Sequence, residues 1–192
     1  MEKKTLLYLF TSVFILLIIY AIFRNIFYFP DLITSIIIIF LLYKYFNKLE
    51  LNNFIFFLLF LALLFHDFGV FGFYNKSPLY FQYDNLTHFI GGIALGIFFI
   101  NFFKKNIDGK LLIIFLALLS ALGVGAVVEI IEYSGYLYLG QGDGFFYFGG
   151  KGDLGRRNSI TGAWANSSID MVLNLVGGII GIISYLIYKK FK

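Results

Sequence analysis

The chain has 192 residues, of which 60% are hydrophobic and only 14% charged, with a formal net charge of +4. Ordinary globular domains carry about 45–50% apolar and about 25% charged residues, so a soluble monomer is excluded by its lack of polar cover and disorder by its apolar content. A polytopic membrane protein remains, and the 26 Phe and 14 Tyr suit lipid-facing and interfacial positions.

A window of about 19 residues resolves about six transmembrane helices in an all-α chain. The first, near 5–23, lies between Lys3-Lys4 and Arg24. Its apolar run is too long for a signal-peptide core and no small-x-small cleavage site precedes Arg24, so it reads as a retained anchor. The second, near 32–43, follows Pro30, which suits a first helical turn, and is closed by Lys44 and Lys48. The third, near 51–65, ends at His66-Asp67. The fourth, near 85–103, precedes Lys104-Lys105, and the fifth covers 111–133. A Gly-rich outer loop, 134–167, leads to the sixth, near 168–188, which ends at Lys189-Lys190. No repeat or linker divides the chain, so 1–192 reads as a single integral membrane domain. Cysteine is absent, which excludes disulfides and thiolate metal ligands.

The basic residues predict the orientation. With the N-terminus inside, Lys3, Lys4, Lys44, Lys48, Lys104, Lys105, Lys110, Lys189, Lys190 and Lys192 are cytoplasmic, and only Arg24, Lys76, Lys151, Arg156 and Arg157 lie outside. Both termini are therefore expected in the cytoplasm of a cell-membrane protein, with no nucleic-acid partner. Acids run the other way. Asp31, Asp67, Asp84, Glu129, Glu132, Asp143, Asp153 and Asp170 fall at or beyond the outer ends of spans, together with His66 and His88.

Gly92-x-x-x-Gly96, Ala121-x-x-x-Gly125 and Gly177-x-x-x-Gly181 are small-x-x-x-small patterns on spans four to six. Such patterns let backbones approach closely in lipid, so these spans are expected to form the packed core.

The outer polar residues recur at helical spacing. Asp84 and His88 are four apart and share a face at the start of span four, as do Asp170 and Asn174 at the start of span six. Each has a structural reading beside the functional one. Ser167-x-x-Asp170 has the form of a capping box, Asp84 suits an N-cap, and His66-Asp67 suits a wet interfacial pair. Glu129 and Glu132 read as the C-terminal end of span five, where the helix dipole disfavours negative charge. An intramembrane acid needs an offset, which a cation, a metal or a proton supplies. A neutral His88 can ligate a metal or act as a base, or can simply pack by hydrogen bonding.

In the outer loop, Gly150-Lys151-Gly152-Asp153-Leu154-Gly155 matches G-x-G-x-x-G but lacks the strand and helix that a dinucleotide site requires. Gly142-Asp143-Gly144 reads as a turn, and Trp164 as a headgroup-level anchor. Arg156-Arg157 suits a phosphate or carboxylate partner, or an anionic lipid surface.

Tyr83-Asp84-x-x-x-His88-Phe89, the acidic stretch Glu129–Glu132, Arg156/Arg157, Asp170-x-x-x-Asn174-x-x-Gly177, the His66-Asp67 turn and the stretch from Trp164 to Asp170-Met171 resemble the VanZ-like membrane proteins and, more closely, their YjdF-like relatives. The resemblance covers about residues 60–185. It departs at Ala165-Asn166-Ser167, where the related proteins tend to carry Asp-Thr-Gln. It implies a multi-pass membrane protein of largely unknown activity.

Three functions compete. In an intramembrane enzyme, His88, Glu129, Glu132 and Asp170 are the candidate catalytic residues, and Asp84, Asn174, Arg156 and Arg157 the candidate substrate-binding ones. A divalent metal would be held by His66, His88, Asp84 and Glu129, and the ligand would be a membrane lipid with an anionic or phosphate-bearing headgroup. In a lipid-binding or small transporter-like protein the same acids bind a cation or carry protons. In a structural network they join helix ends and do no chemistry.

Overall fold

A computed structural model describes residues 2–24, 29–74, 76–139 and 160–190. They form helices α1 (Lys3–Arg24), α2 (Phe29–Lys44) and α3 (Asn53–Phe68), a π-helical turn (Gly69–Phe73), and helices α4 (Tyr83–Asn106), α5 (Lys110–Leu139) and α6 (Ile160–Lys190). No strand occurs among the described residues. Five segments are long and apolar enough to cross a membrane: Lys3–Phe23, Asn53–Phe73, Tyr83–Asn106, Lys110–Ser134 and Trp164–Lys190. The expected second span is shorter: the 16 residues of α2 rise about 24 Å, less than the roughly 30 Å of a hydrocarbon core. Its buried side, Asp31, Leu32, Ser35 and Ile39, ties it to its neighbours.

Several boundaries differ from those expected. The third helix continues past 65 to Phe68 and on through the π turn, α5 runs beyond 133 to Leu139, and α6 begins at Ile160 rather than near 168. In each case polar residues taken as helix ends are buried within the bundle, so nothing there terminates the hydrogen-bond ladder. True ends carry recognisable devices. Asn52 caps α3 by accepting from the Ile55 N–H at 2.9 Å. Glu50, with φ of 53°, and Gly109, with φ of 96°, turn the chain in the left-handed region before α3 and α5.

Two groups of helices pack side by side. In the first, α1 packs on α2 and α3. Phe10 stacks on Phe60 with ring centroids 3.9 Å apart, and Phe14 meets the same ring edge-on at 5.5 Å. The second group is α4, α5 and α6, with α4 against α6 the most extensive contact in the molecule and α3 joining the groups through α4.

The second group is held by glycine. A Cβ on Gly92 would lie 2.5 Å from the Asn174 carbonyl oxygen, and one on Gly96 would lie 2.5 Å from that of Gly178. Gly177 and Gly181 face the carbonyls of Phe89 and Ile93 from the other side. Gly125 on α5 lies against the Asn174 side chain. The small-x-x-x-small patterns of spans four and six thus bring their backbones together as expected, whereas that of span five seats a side chain.

The lysine-rich ends converge. Lys3 sits 5.5 Å from the Tyr43 ring centre and 5.3 Å from that of Phe46, and Lys104 and Lys189 sit 5.8 and 5.9 Å from that of Tyr185. Lys105 pairs with the Glu50 carboxylate, and Asn101 donates to the Glu50 carbonyl at 2.6 Å and accepts from Tyr185 Oη at 2.8 Å. Acids and imidazoles occupy the opposite end.

Because Gly177 has carbonyl backbone where a Cβ would go, Gly177→Ala is expected to lower stability by about 1–3 kcal/mol through overpacking. Gly123→Ala, with nothing within 4 Å of the added atom, is expected to cause no loss. Thermal unfolding of both variants in detergent checks the pair.

Candidate functional site

The site is built at the start of α4. Gln82 is the N-cap, Asp84 lies in the first turn and His88 follows one turn later on the same face. His88 Nε2 lies 3.2 Å from Asp84 Oδ1. Its other nitrogen, Nδ1, lies 3.3 Å from Glu129 Oε1 on α5 and 3.2 Å from Asn174 Nδ2 on α6. Three helices therefore converge on one imidazole.

Around it the acids gather. One ligand atom from each of Asp84, His88 and Asp170 lies within 4.8 Å of the others, and the same holds for His88, Glu129 and Glu132. All five residues are buried, Asp170 to 1% exposure. Asn166 donates to Asp170 Oδ2 at 2.8 Å, Thr87 Oγ1 donates to the Asp84 carbonyl at 2.7 Å, and Ser167 is buried beside Glu129.

The arrangement allows two placements of the imidazole proton. If the Asn174 amide donates to Nδ1, the proton is on Nε2 and is donated to Asp84. If Nδ1 carries the proton it is donated to Glu129, and Nε2 is free to face a cation beside Asp84. A carboxylate at each ring nitrogen also lets His88 pass a proton between α4 and α5.

Every described residue named as catalytic from the sequence, His88, Glu129, Glu132 and Asp170, enters this constellation, as do Asp84 and Asn174. Arg156 and Arg157 lie outside the described residues. The structural readings of individual residues change. Glu129 and Glu132 are not at a helix C-terminus, since α5 continues to Leu139, so burial rather than the dipole is what opposes their charge. Asp170 is not in a first turn, because α6 starts at Ile160, and the capping-box reading fails with it. Asp84 is not an N-cap, since Gln82 holds that place. His66-Asp67 is not a wet pair: Asp67 has 0% exposure. His66 also lies outside both groups of metal-binding geometry among the described residues.

His66 belongs to a second cluster instead. Its Nε2 lies 3.5 Å from Asp31 Oδ1 on α2, and its Nδ1 lies 2.9 Å from Tyr74 Oη. Asp67 is buried beside Ser35, His66 and Asp31. The π turn makes this possible, with the Tyr74 N–H bonding the Gly69 carbonyl at 3.1 Å so that the chain folds back on α3. A Cβ on Gly69 would collide with the Tyr74 ring.

Sequence reasoning missed Asp31, Ser35 and Tyr74 as site neighbours and set Asn166 and Ser167 aside. Asp31 and Ser35 carried a signal, being four apart on α2 in line with buried Ile39. Tyr74 carried none, because only the π turn aims it at His66. A cavity of about 280 Å³ separates α2 and α3 from α4 and α5, and both His66 and His88 line it.

A family model described as "Predicted membrane protein (DUF2238)" matches residues 3–191. No curated protein and no solved structure matches the chain. The match includes the first two helices, which the resemblance over about 60–185 had left out. Since it spans nearly the whole sequence, the chain belongs to this family of predicted membrane proteins.

Proposed function

We propose that the His88 cluster is a divalent-metal centre through which this membrane protein binds, and acts on, a lipid headgroup. The observation that carries the reading is the pair of buried three-residue groups that share His88, each with ligand atoms within 4.8 Å. One imidazole with several carboxylates suits zinc, manganese or iron. Asp84, which faces Nε2, and Asp170 are the first-choice ligands with His88. Glu129 at Nδ1 then orients the ring, as carboxylates do behind metal-bound histidines. A metal there would acidify a bound water for attack on a phosphoester or acyl bond. Glu132 would take a proton, and Arg156 and Arg157, outside the described residues, would hold a phosphate-bearing headgroup. The basic end of the bundle supports a cell-membrane protein with both termini cytoplasmic, and the shared motifs support kinship with VanZ-like and YjdF-like proteins.

Metal content of the detergent-purified chain, loaded with Mn²⁺, Fe²⁺ or Zn²⁺ and washed, tests the centre. A stoichiometric ion is expected in the parent chain, and its loss in His88→Ala and Asp170→Asn. Glu129→Gln is expected to weaken binding about 10–100-fold, the usual effect of removing an orienting partner. Glu50→Gln, at the opposite end, is expected to bind as the parent does. Absence of stoichiometric metal in the parent chain under all three loadings removes the reading.

A second reading, a purely structural network, is favoured by the bonds from Asn166 to Asp170 and from Asn174 to His88. Asn174→Leu leaves a buried imidazole short of one partner and is expected to cost about 1–3 kcal/mol of stability. Under the structural reading, His88→Ala and Asp170→Asn lower the unfolding midpoint in the same way, and no metal signal is ever seen.

A further inference from the structure

The cavity between the two helix groups has its polar groups at one end. His66, Tyr74, Thr87, His88 and Asn174 supply them. Away from that end the walls are apolar, with Leu42 from α2, Leu59 and Leu63 from α3, and Leu95 and Phe98 from α4. Along α4 the lining runs from Thr87 to Phe99, about 18 Å at the helical rise, against about 15 Å for one leaflet's share of the hydrocarbon core.

We propose that this cavity binds the tail of a single-chain lipid whose anionic head lies between His66 and His88. The proposal deepens the reading above and rests on it for the charge of the head alone.

Shape, size and chemistry each support it. The volume of about 280 Å³ lies just below the range of ligand pockets, about 300–1,000 Å³, and so has room for one chain rather than two. Leucine and phenylalanine walls offer dispersion contacts to a flexible chain but nothing to orient a polar solute. At the polar end the buried carboxylates stand behind the imidazoles: Asp84, Glu129 and Asp170 do not line the cavity, whereas both histidines do. A head entering there meets imidazole, phenol, hydroxyl and amide groups first. The two histidines come from different helix groups, so one ligand would touch both polar clusters. Gly91 completes the mouth. It lines the cavity one turn from Thr87 and has nothing within 4 Å of where a Cβ would be. The lack of a side chain at that point keeps the space open, and no backbone packs into it.

The test uses the full chain in nanodiscs with photoactivatable palmitic acid and, separately, photoactivatable farnesyl phosphate. Both carry one apolar chain and an anionic head, so the probe that labels identifies the chain as acyl or prenyl. Adducts are expected on Leu59, Leu63, Leu95 and Phe98 after proteolysis and mass spectrometry. Gly91→Phe and Ala62→Phe fill the cavity from opposite walls and are each expected to cut those adducts at least tenfold. Gly123→Phe, which points into open space outside the cavity, is expected to leave them unchanged. Labelling by both probes confined to lipid-facing positions such as Leu119, Val127 and Ile130 overturns the proposal, as does cavity labelling that survives both plugs. Metal content is read on the same samples. Cavity labelling without metal leaves the tail site standing and removes the metal centre, and metal without cavity labelling does the reverse.

Discussion

The close approach of α4 and α6 sets the geometry of everything else at the polar end. Lipid chains are as apolar as leucine, so helices in a bilayer gain little from hydrophobic burial and depend on close packing and polar contacts. Gly92 and Gly96 on one helix and Gly177 and Gly181 on the other remove the atoms that would hold these backbones apart. The register they fix is functional in its consequences. Gly92 lies against the Asn174 backbone and Gly177 against the Phe89 carbonyl, so His88 and Asn174, each next to or within a contact point, meet at 3.2 Å. Gly125 then lets α5 close on the Asn174 side chain, which brings Glu129 to Nδ1, the ring nitrogen that Asn174 also meets. A shift of one residue in this packing would separate ligands that now lie within 4.8 Å.

Burial divides the charged groups of this chain into two kinds. At the basic end, Lys105 and Glu50 pair in partial exposure, and lysines lie over Tyr185, Tyr43 and Phe46 with their ammonium groups near water. Such contacts anchor a bundle and contribute little individually. At the other end Asp31, Asp67, Asp84, Glu129, Glu132 and Asp170 are all buried with His88. Taking charges out of water costs more than pairing returns unless hydrogen bonds or a cation complete the set. Asn166 at the Asp170 carboxylate and Asn174 at the His88 ring answer part of that demand through amide contacts. The remainder is carried by protons, by a metal or by cationic groups, and each of these makes the cluster responsive to its surroundings in a way the basic end is not.

Hydropathy made the helical class and the order of the helices legible, and charge placement separated a basic end from an acidic one. Helical spacing identified Asp84 with His88 and Asp170 with Asn174, and the small-residue patterns identified the helices that carry them. Helix ends were misread for a single reason. A polar residue after an apolar run marks either the membrane surface or a buried site inside the bundle, and one sequence does not distinguish them. Glu129, Asp170 and Asp67 were assigned to the surface, and the helices pass through all three. The short α2 shows the same limit: Asp31 looked like a boundary residue, yet it has 0% exposure and faces His66 across a helix contact. Tyr74 depends on a π turn and on the missing Cβ of Gly69, which no periodicity reveals.

The two histidines have similar surroundings, with one difference. His66 has Tyr74 Oη at Nδ1, 2.9 Å away, and Asp31 near Nε2 at 3.5 Å. His88 has Asn174 at Nδ1, 3.2 Å away, and Asp84 at Nε2, also 3.2 Å away. In both, a neutral group lies at Nδ1 and a carboxylate near Nε2, an arrangement that orients the ring. His88 also has a second carboxylate, Glu129, at Nδ1. That acid competes with Asn174 for the nitrogen and makes both proton placements accessible. His66 sits at the cavity wall, with Tyr74 and Asp31 about its ring. His88 is the ring on which α4, α5 and α6 converge, and its proton can face either Asp84 or Glu129.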